Sequence, residues 1–332
     1  MTQEERDQHE MEICGDIIPR LCESDVWNDI EKLNVQDTIT VRNQAMSALK
    51  NGVLDDMFND TYFSRENFEK AIKHIDSLVP QKIFALPMLY TINDKSTNLP
   101  FLDENGLMYL FSEREYAENA LDYYTQQLRV WELKEVENKY IYPFLGHEFY
   151  DCGAKGAIID NGQNHSCHKA EEFIKKPDYS FMPEEQRPVT NPDYIRALTM
   201  LQQERYWRAN YDNKSKVLTA YEDEMIRTFT KARFLVPFKN IMPTFDGNGF
   251  NQGAGIQFAM LKKDNGDNVT PIFSDWDQFA LQYDLEEWKG WVIKAEELPG
   301  GIFNPVVLNV KTLGFVMTRD FMGKMFEISK TL

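Results

Sequence analysis

At 332 residues, 42% of them hydrophobic and 13% aromatic, the chain has room for about two domains and enough apolar side chains to make wholesale disorder untenable. Its 53 Asp and Glu against 36 Lys and Arg leave a net charge of −17. That balance argues against nucleic acid as a partner, since nonspecific binding to phosphate rests on cationic surface, and is otherwise an ordinary solubility feature.

The opening segment, MTQEERDQHE, is acidic and polar rather than basic and then apolar, so no secretory leader is expected, and no run has the length of a membrane-spanning helix. Cys14, Cys22, Cys152 and Cys167 are too sparse for a disulfide framework, which points to reduced thiols in a cytoplasm. Residues 1–34 read as a helical extension, with Ile13, Ile17, Ile18 and Leu21 on one face and Pro19 interrupting it. A helix over residues 35–49 stops at Asn51-Gly52. A second starts at Ser64 and carries Phe68, Ile72 and Ile75 as its buried stripe. His74, on that helix, reads as a half-buried or exposed side chain rather than a ligand.

Residues 82–90 (KIFALPMLY) then read as a strand, Asn105-Gly106 as a hairpin turn, and Leu107 to Phe111 as a buried strand. Ser112-Glu113-Arg114-Glu115 fits a helix-capping box, followed by the stripe Tyr116, Ala117, Ala120, Leu121 and Tyr124. A strand over residues 128–135, a short apolar segment opened by Pro143 and a strand beginning at Gly156 complete the unit. Residues 161–191 are polar, hold three prolines and lack a period, as a linker or surface excursion would.

The same order then recurs. Helices over residues 192–207 and 217–230 lead into a strand over residues 233–239 (RFLVPFK). Asn265-Gly266 forms the next turn, Val269 to Phe273 the next strand, and Ser274-Asp275-Trp276-Asp277 the next capping box. Trp276, Phe279, Ala280 and Tyr283 follow at helical spacing, then a strand over residues 290–294, a helix start at Asn304-Pro305 and a strand after Gly314. Phe84/Pro87 and Phe234/Pro237 sit at one common offset, as do the capping boxes in their own register, so the chain reads as a tandem duplication. The expected class is α+β: a first, degenerate domain over residues 35–160 and a second over residues 192–332, each a mixed sheet with covering helices.

Few motifs carry chemistry. The glycines from Gly247 to Gly255 match neither a dinucleotide fingerprint nor a P-loop, and a strand rather than a helix is expected after them, so they read as a flexible loop. His147, Cys152, His165, Cys167 and His168 gather three of five histidines and two of four cysteines. Zinc favours closely spaced ligand pairs, and without a C-x-x-C knuckle these five remain candidate metal ligands against the alternative of loop residues with no special role. No nucleophile-elbow or H-E-x-x-H signature is present, and His147-Glu148 lacks a second histidine four residues on. The abundant carboxylate pairs read as solvated surface.

Taken together, FLVPF, PIFSDWDQF, NPVVLN and LGFVM in this order resemble the SseB family, named for enhanced serine sensitivity, most clearly over residues 192–320. The resemblance implies a cytoplasmic bacterial protein or a phage-borne relative with an α+β domain, and it brings no catalytic residues or cofactor. The reading that follows is a non-enzymatic interaction protein holding a protein partner through an acidic surface or the groove between the copies. A small-molecule or zinc-responsive module is the alternative.

Overall fold

The computed structural model describes residues 3–58, 63–241, 244–245, 250–252, 255–262, 266–303 and 305–332. Its N-terminal layer is α1 (Gln3–Ile17), a 3-10 turn over Ile18–Arg20 with Pro19 as its second residue, α2 (Val26–Lys32), α3 (Val35–Lys50) and α4 (Arg65–Ala85). The Asn34 side chain caps α3 by accepting from the Asp37 amide, and the Ser64 hydroxyl caps α4 by accepting from Asn67. Ile17, Leu21, Val26, Ile30, Phe68, Ile72 and Ile75 close into one apolar cluster here. Helix α4 runs past Pro80 to Ala85, so residues 82–85 are helical rather than the start of a strand. Its buried positions Phe68, Ile72, Ile75, Val79 and Ile83 keep the helical spacing through that region. Lys82 donates to the carbonyls of Ile30, Glu31 and Leu33, tying α4 to the end of α2.

The first sheet follows as β1 (Met88–Asp94), β2 (Leu99–Pro100), β3 (Leu107–Phe111), α5 (Arg114–Gln126), β4 (Trp131–Glu137), α6 (Asn138–Tyr150), β5 (Gly156–Ile159), β6 (Ser166–Lys169) and α7 (Ala170–Phe173). Its order is β2-β1-β3-β5-β6, with β4 also paired to β1. Only β3–β5 is parallel. Alternation splits the strands cleanly between two faces. Met108 and Leu110 pack with Leu89, Ile83, Ile141 and Leu145 on one side, while Tyr109 and Phe111 pack with Ile92, Trp131 and Ala117 on the other. Pro143 lies inside α6.

The second half comprises α8 (Pro192–Tyr206), α9 (Lys214–Phe229), β7 (Arg233–Ile241), β8 (Thr244–Phe245), β9 (Phe250–Gln252), β10 (Gly255–Phe258), β11 (Leu261–Lys262), β12 (Asn268–Ile272), α10 (Trp276–Ala280), β13 (Lys289–Lys294), β14 (Val306–Leu308), β15 (Phe315–Met317) and α11 (Arg319–Ser329). Strand β7 pairs antiparallel with β13 and, through the Leu235–Phe273 bridge, meets the end of β12. Strand β12 pairs parallel with β14, and β14 antiparallel with β15. This is the pairing pattern of β1, β3, β4, β5 and β6. Tyr194, Leu198, Phe229, Phe234, Ile272, Ile293 and Met317 form its core.

The register of these strands corrects several expectations. Tyr90 lies opposite Phe111 and Leu235 opposite Phe273, so Phe84/Pro87, at the end of a helix, do not correspond to Phe234/Pro237 within a strand. Leu110 pairs with Ile159 and Ile272 with Leu308. The counterpart of the strand at Gly156 in the second half is therefore β14, and the strand after Gly314, β15, is the counterpart of β6. Pro305 leads into that strand rather than a helix, and Asn304 lies outside the described residues. The supposed linker at residues 161–191 opens with an edge strand and a helical turn, β6 and α7, because β5 has an open edge there. Most of the glycine loop from Gly247 to Gly255 lies outside the described residues.

Neither serine caps its helix. Ser112 donates its amide and hydroxyl to the two oxygens of Asp160, both at 2.7 Å. Ser274 donates its amide to Asn309 Oδ1 at 3.0 Å, and Asn309 Nδ2 donates to the Ser274 hydroxyl at 2.8 Å. Asp160 and Asn309 both have left-handed backbone, φ 55° and 49°. In each half the strand that leads to a helix is thus pinned to the strand beside it by one side chain. Asp275 takes over the cap of α10, accepting from the Gln278 amide, and α10 ends at Ala280, short of Tyr283.

Candidate functional site

The seam between the halves holds two polar sites, both built by residues from each side. The first is a cleft of about 720 Å³ lined by Phe101, Tyr109, Tyr124, Arg129, Trp207 and Tyr221, among others. Its floor is fixed by Gln203 of α8, whose side chain accepts from the Leu102 amide and donates to the Pro100 carbonyl, both at 3.2 Å. The loop between α5 and β4 turns through Leu128 at φ 64° and delivers Arg129 into the seam. The Arg129 guanidinium lies 3.9 Å from the Trp207 ring centroid and 5.0 Å from that of Phe101, and donates to the Gln203 carbonyl. It faces the Glu204 carboxylate at 3.8 Å, and Trp207 Nε1 donates to the Gln127 carbonyl at 2.7 Å. Burial lowers the Arg129 pKa, opposed by Glu204.

Tyrosines line the rest. The hydroxyls of Tyr109 and Tyr124 meet at 3.3 Å, and Asn161 donates to the latter. Tyr211 donates to Glu204 at 2.8 Å, and burial plus that carboxylate push its phenol up to about 12. Asp103 and Glu104 add carboxylates to the lining, with Glu104 exposed. The arrangement offers flat apolar faces, several hydroxyls and negative charge around one satisfied cation.

The second site surrounds His147, near the end of α6. Helix α6 closes with the amides of Asp151 and Cys152 both donating to the His147 carbonyl, and the chain hooks back through Gly153 at φ 84°. A Cβ on Gly153 would stand 2.0 Å from the Pro192 carbonyl oxygen, so glycine alone lets α6 and α8 meet this closely. The hook returns Cys152 to His147, with Sγ 3.6 Å from Nδ1. Glu148 Oε1 stands 3.7 Å from Nδ1, and Asp275, from the other half, puts Oδ1 3.6 Å from Nε2.

Electrostatics here are strongly coupled. Burial would lower the His147 pKa, but Cys152, Asp275 and Glu148 together raise it well above the usual imidazole value. Burial, reinforced by Glu148, pushes the Cys152 thiol up and keeps it protonated, so the carboxylates are what hold the imidazolium. Burial and then the charge of Asp275 push Asp151 up to about 7. Asp275 is held down despite its burial by His147, Ser274 and the Gln278 amide.

The five His and Cys residues singled out in the sequence do not converge. His147 and Cys152 lie at the seam, whereas His165, Cys167 and His168 lie at and along β6. His168 is buried, within 3.0 Å of Glu172 and 3.1 Å of Ser166 Oγ, and burial lowers its pKa. Cys167 points to the other, exposed face of the edge strand, and the His165 carbonyl accepts from Asn43. Among the described residues, the groups able to surround a metal ion are His147 with Glu148 and Cys152, and His147 with Asp151 and Asp277. Sequence reasoning missed the acidic members and the whole aromatic cleft. His147-Glu148 was legible as a pair, but Asp275 and Asp277 lie more than a hundred residues away.

Residues 215–323 match the family model described as the SseB protein N-terminal domain. The chain therefore carries an SseB-like domain, running from α9 into α11. No curated protein and no solved structure matches the chain.

Proposed function

We propose that the SseB-like domain and the unit running from β1 to α7 are tandem copies, and that the protein is a non-enzymatic interaction module. On this reading it holds a segment of a protein partner in the aromatic cleft between them. The observation that carries the proposal is the cleft itself, whose walls come from both halves and in which Tyr124, Trp207 and Tyr221 stay half-buried beside Arg129. Tyrosine and tryptophan supply large contact area at low conformational cost, as interface anchors do. Asp103 and Glu104 favour a segment with a basic residue flanked by apolar ones. Shared pairing in the two sheets, with Asp160 and Asn309 in matching roles, supports the duplication. No helix among the described residues is long and apolar enough to cross a membrane, and the family resemblance suggests a bacterial cytoplasm as the setting.

A random-peptide display library tests the idea. Selection on the wild-type protein should enrich a basic-apolar motif, with affinity falling at least about tenfold on Tyr221→Ala or Glu104→Lys. If every selected peptide bound these variants as well as wild type, the cleft would not be the docking site.

A further inference from the structure

The end of α6 has a second capacity, independent of what the cleft binds. His147, Glu148 and Cys152 present one nitrogen, one oxygen and one sulfur within 4.8 Å of one another. We infer that these three side chains form a site for a zinc-class divalent cation, with Asp275 of the second half buttressing the histidine from behind.

The spacing fits that chemistry. Zinc–sulfur and zinc–nitrogen bonds of about 2.3 Å and about 2.0 Å at a tetrahedral angle separate the two ligand atoms by about 3.6 Å. Cys152 Sγ lies 3.6 Å from His147 Nδ1 and 3.8 Å from Nε2, so the separation suits a shared ion once the imidazole turns to aim its Nδ1 lone pair between Cys152 and Glu148. Glu148 Oε1, at 3.7 Å from the same nitrogen, needs to approach by only a few tenths of an ångström, taking about 3.3 Å as the tetrahedral nitrogen–oxygen separation. The other ring nitrogen faces Asp275 Oδ1 at 3.6 Å, the carboxylate–histidine arrangement that orients a metal-bound imidazole and raises its basicity. Asp275 is itself held by the Gln278 amide and the Ser274 hydroxyl.

The ligands are pre-organised by the helix-end hook, which returns Cys152 to His147 through backbone bonds rather than side-chain packing alone. His147 and Glu148 also line a recess of about 650 Å³ shared with Asp277, Gln278 and Lys311, which gives an ion a route in and leaves solvent for a fourth position. On binding, sulfur–metal, nitrogen–metal and oxygen–metal bonds replace bonds from the ion to water, while the thiol proton, and the Nδ1 proton where the ring carries one, leave to the buffer. Because binding releases protons, affinity strengthens as pH rises.

Cobalt(II) titration of chelator-treated full-length protein tests the site directly, because a thiolate ligand gives cobalt a charge-transfer band that carboxylates do not. Wild type and Cys167→Ser should show the band, saturating at one ion per chain and displaced by zinc. Cys152→Ser should lack it, with folding checked by circular dichroism. Glu148→Gln leaves the sulfur in place and should keep the band with affinity reduced at least about tenfold. Absence of the band in wild type, its survival in Cys152→Ser, or its loss in Cys167→Ser would overturn the assignment. So would unchanged affinity in Glu148→Gln.

Discussion

Asp160→Asn should stabilise the protein at neutral pH, although it removes two charge-assisted hydrogen bonds. Asp160 is fully buried, and burial, with a further push from Glu113, raises its pKa from 3.8 to about 6 against the two bonds from Ser112. The folded chain therefore keeps a proton up to about pH 6 that the unfolded chain releases near pH 3.8. The stability contributed by this residue is full below the lower value and falls as pH rises through the upper one. A rise of about 2 pH units corresponds to about 3 kcal/mol lost once the group is ionised. Asparagine avoids that cost, and the second half shows the geometry it would adopt. Asn309 accepts from the Ser274 amide and donates to its hydroxyl, which in turn donates to Asp275. In the first half Glu113 occupies the position of Asp275. Asparagine also tolerates the left-handed backbone at this position. Urea unfolding of both proteins across pH isolates the effect, since other carboxylates cancel in the difference. The advantage of the variant should grow by about 2 kcal/mol between about pH 4.5 and about pH 7.5. A difference that does not change with pH, or a variant less stable at the higher pH, would refute the reasoning.

Two further perturbations probe the seam. Gly153→Ala places a Cβ 2.0 Å from the Pro192 carbonyl oxygen at a residue with φ 84°. It should cost at least about 2 kcal/mol and lower the melting temperature, since backbone on both sides must move. Arg129→Met leaves Glu204, whose side chain is 8% exposed, without its cation. It should destabilise by about 3 kcal/mol, with much of that recovered when Glu204→Gln is added; equal melting temperatures for the single and double variants would dismiss the ion pair as a stabilising element.

Local signals carried a good part of this fold. The stop at Pro19, the caps at Asn34 and Ser64 and the buried stripe of α4 all depend on neighbours within one or two turns, and all are legible in order. So are the strands around Trp131 and Trp291. The mistakes arose where a competing long-range partner existed. Ser112 and Ser274 carry the residue pattern of a capping box, yet their hydrogen bonds run to Asp160 and Asn309, some 48 and 35 residues on. Residues 82–85 have strand-like composition but continue α4, with Ile83 on its buried face, where packing outweighs propensity.

What the sequence determined by itself was the α+β class and the local caps and buried stripes of the helices. Periodicity and capping are properties of adjacent residues. Tertiary structure alone decided the strand register in each half, the placement of Arg129 against Trp207, and the meeting of His147 with Asp275. Those pairings join segments separated by 78 and 128 residues, and no local pattern specifies which buried charge will face which.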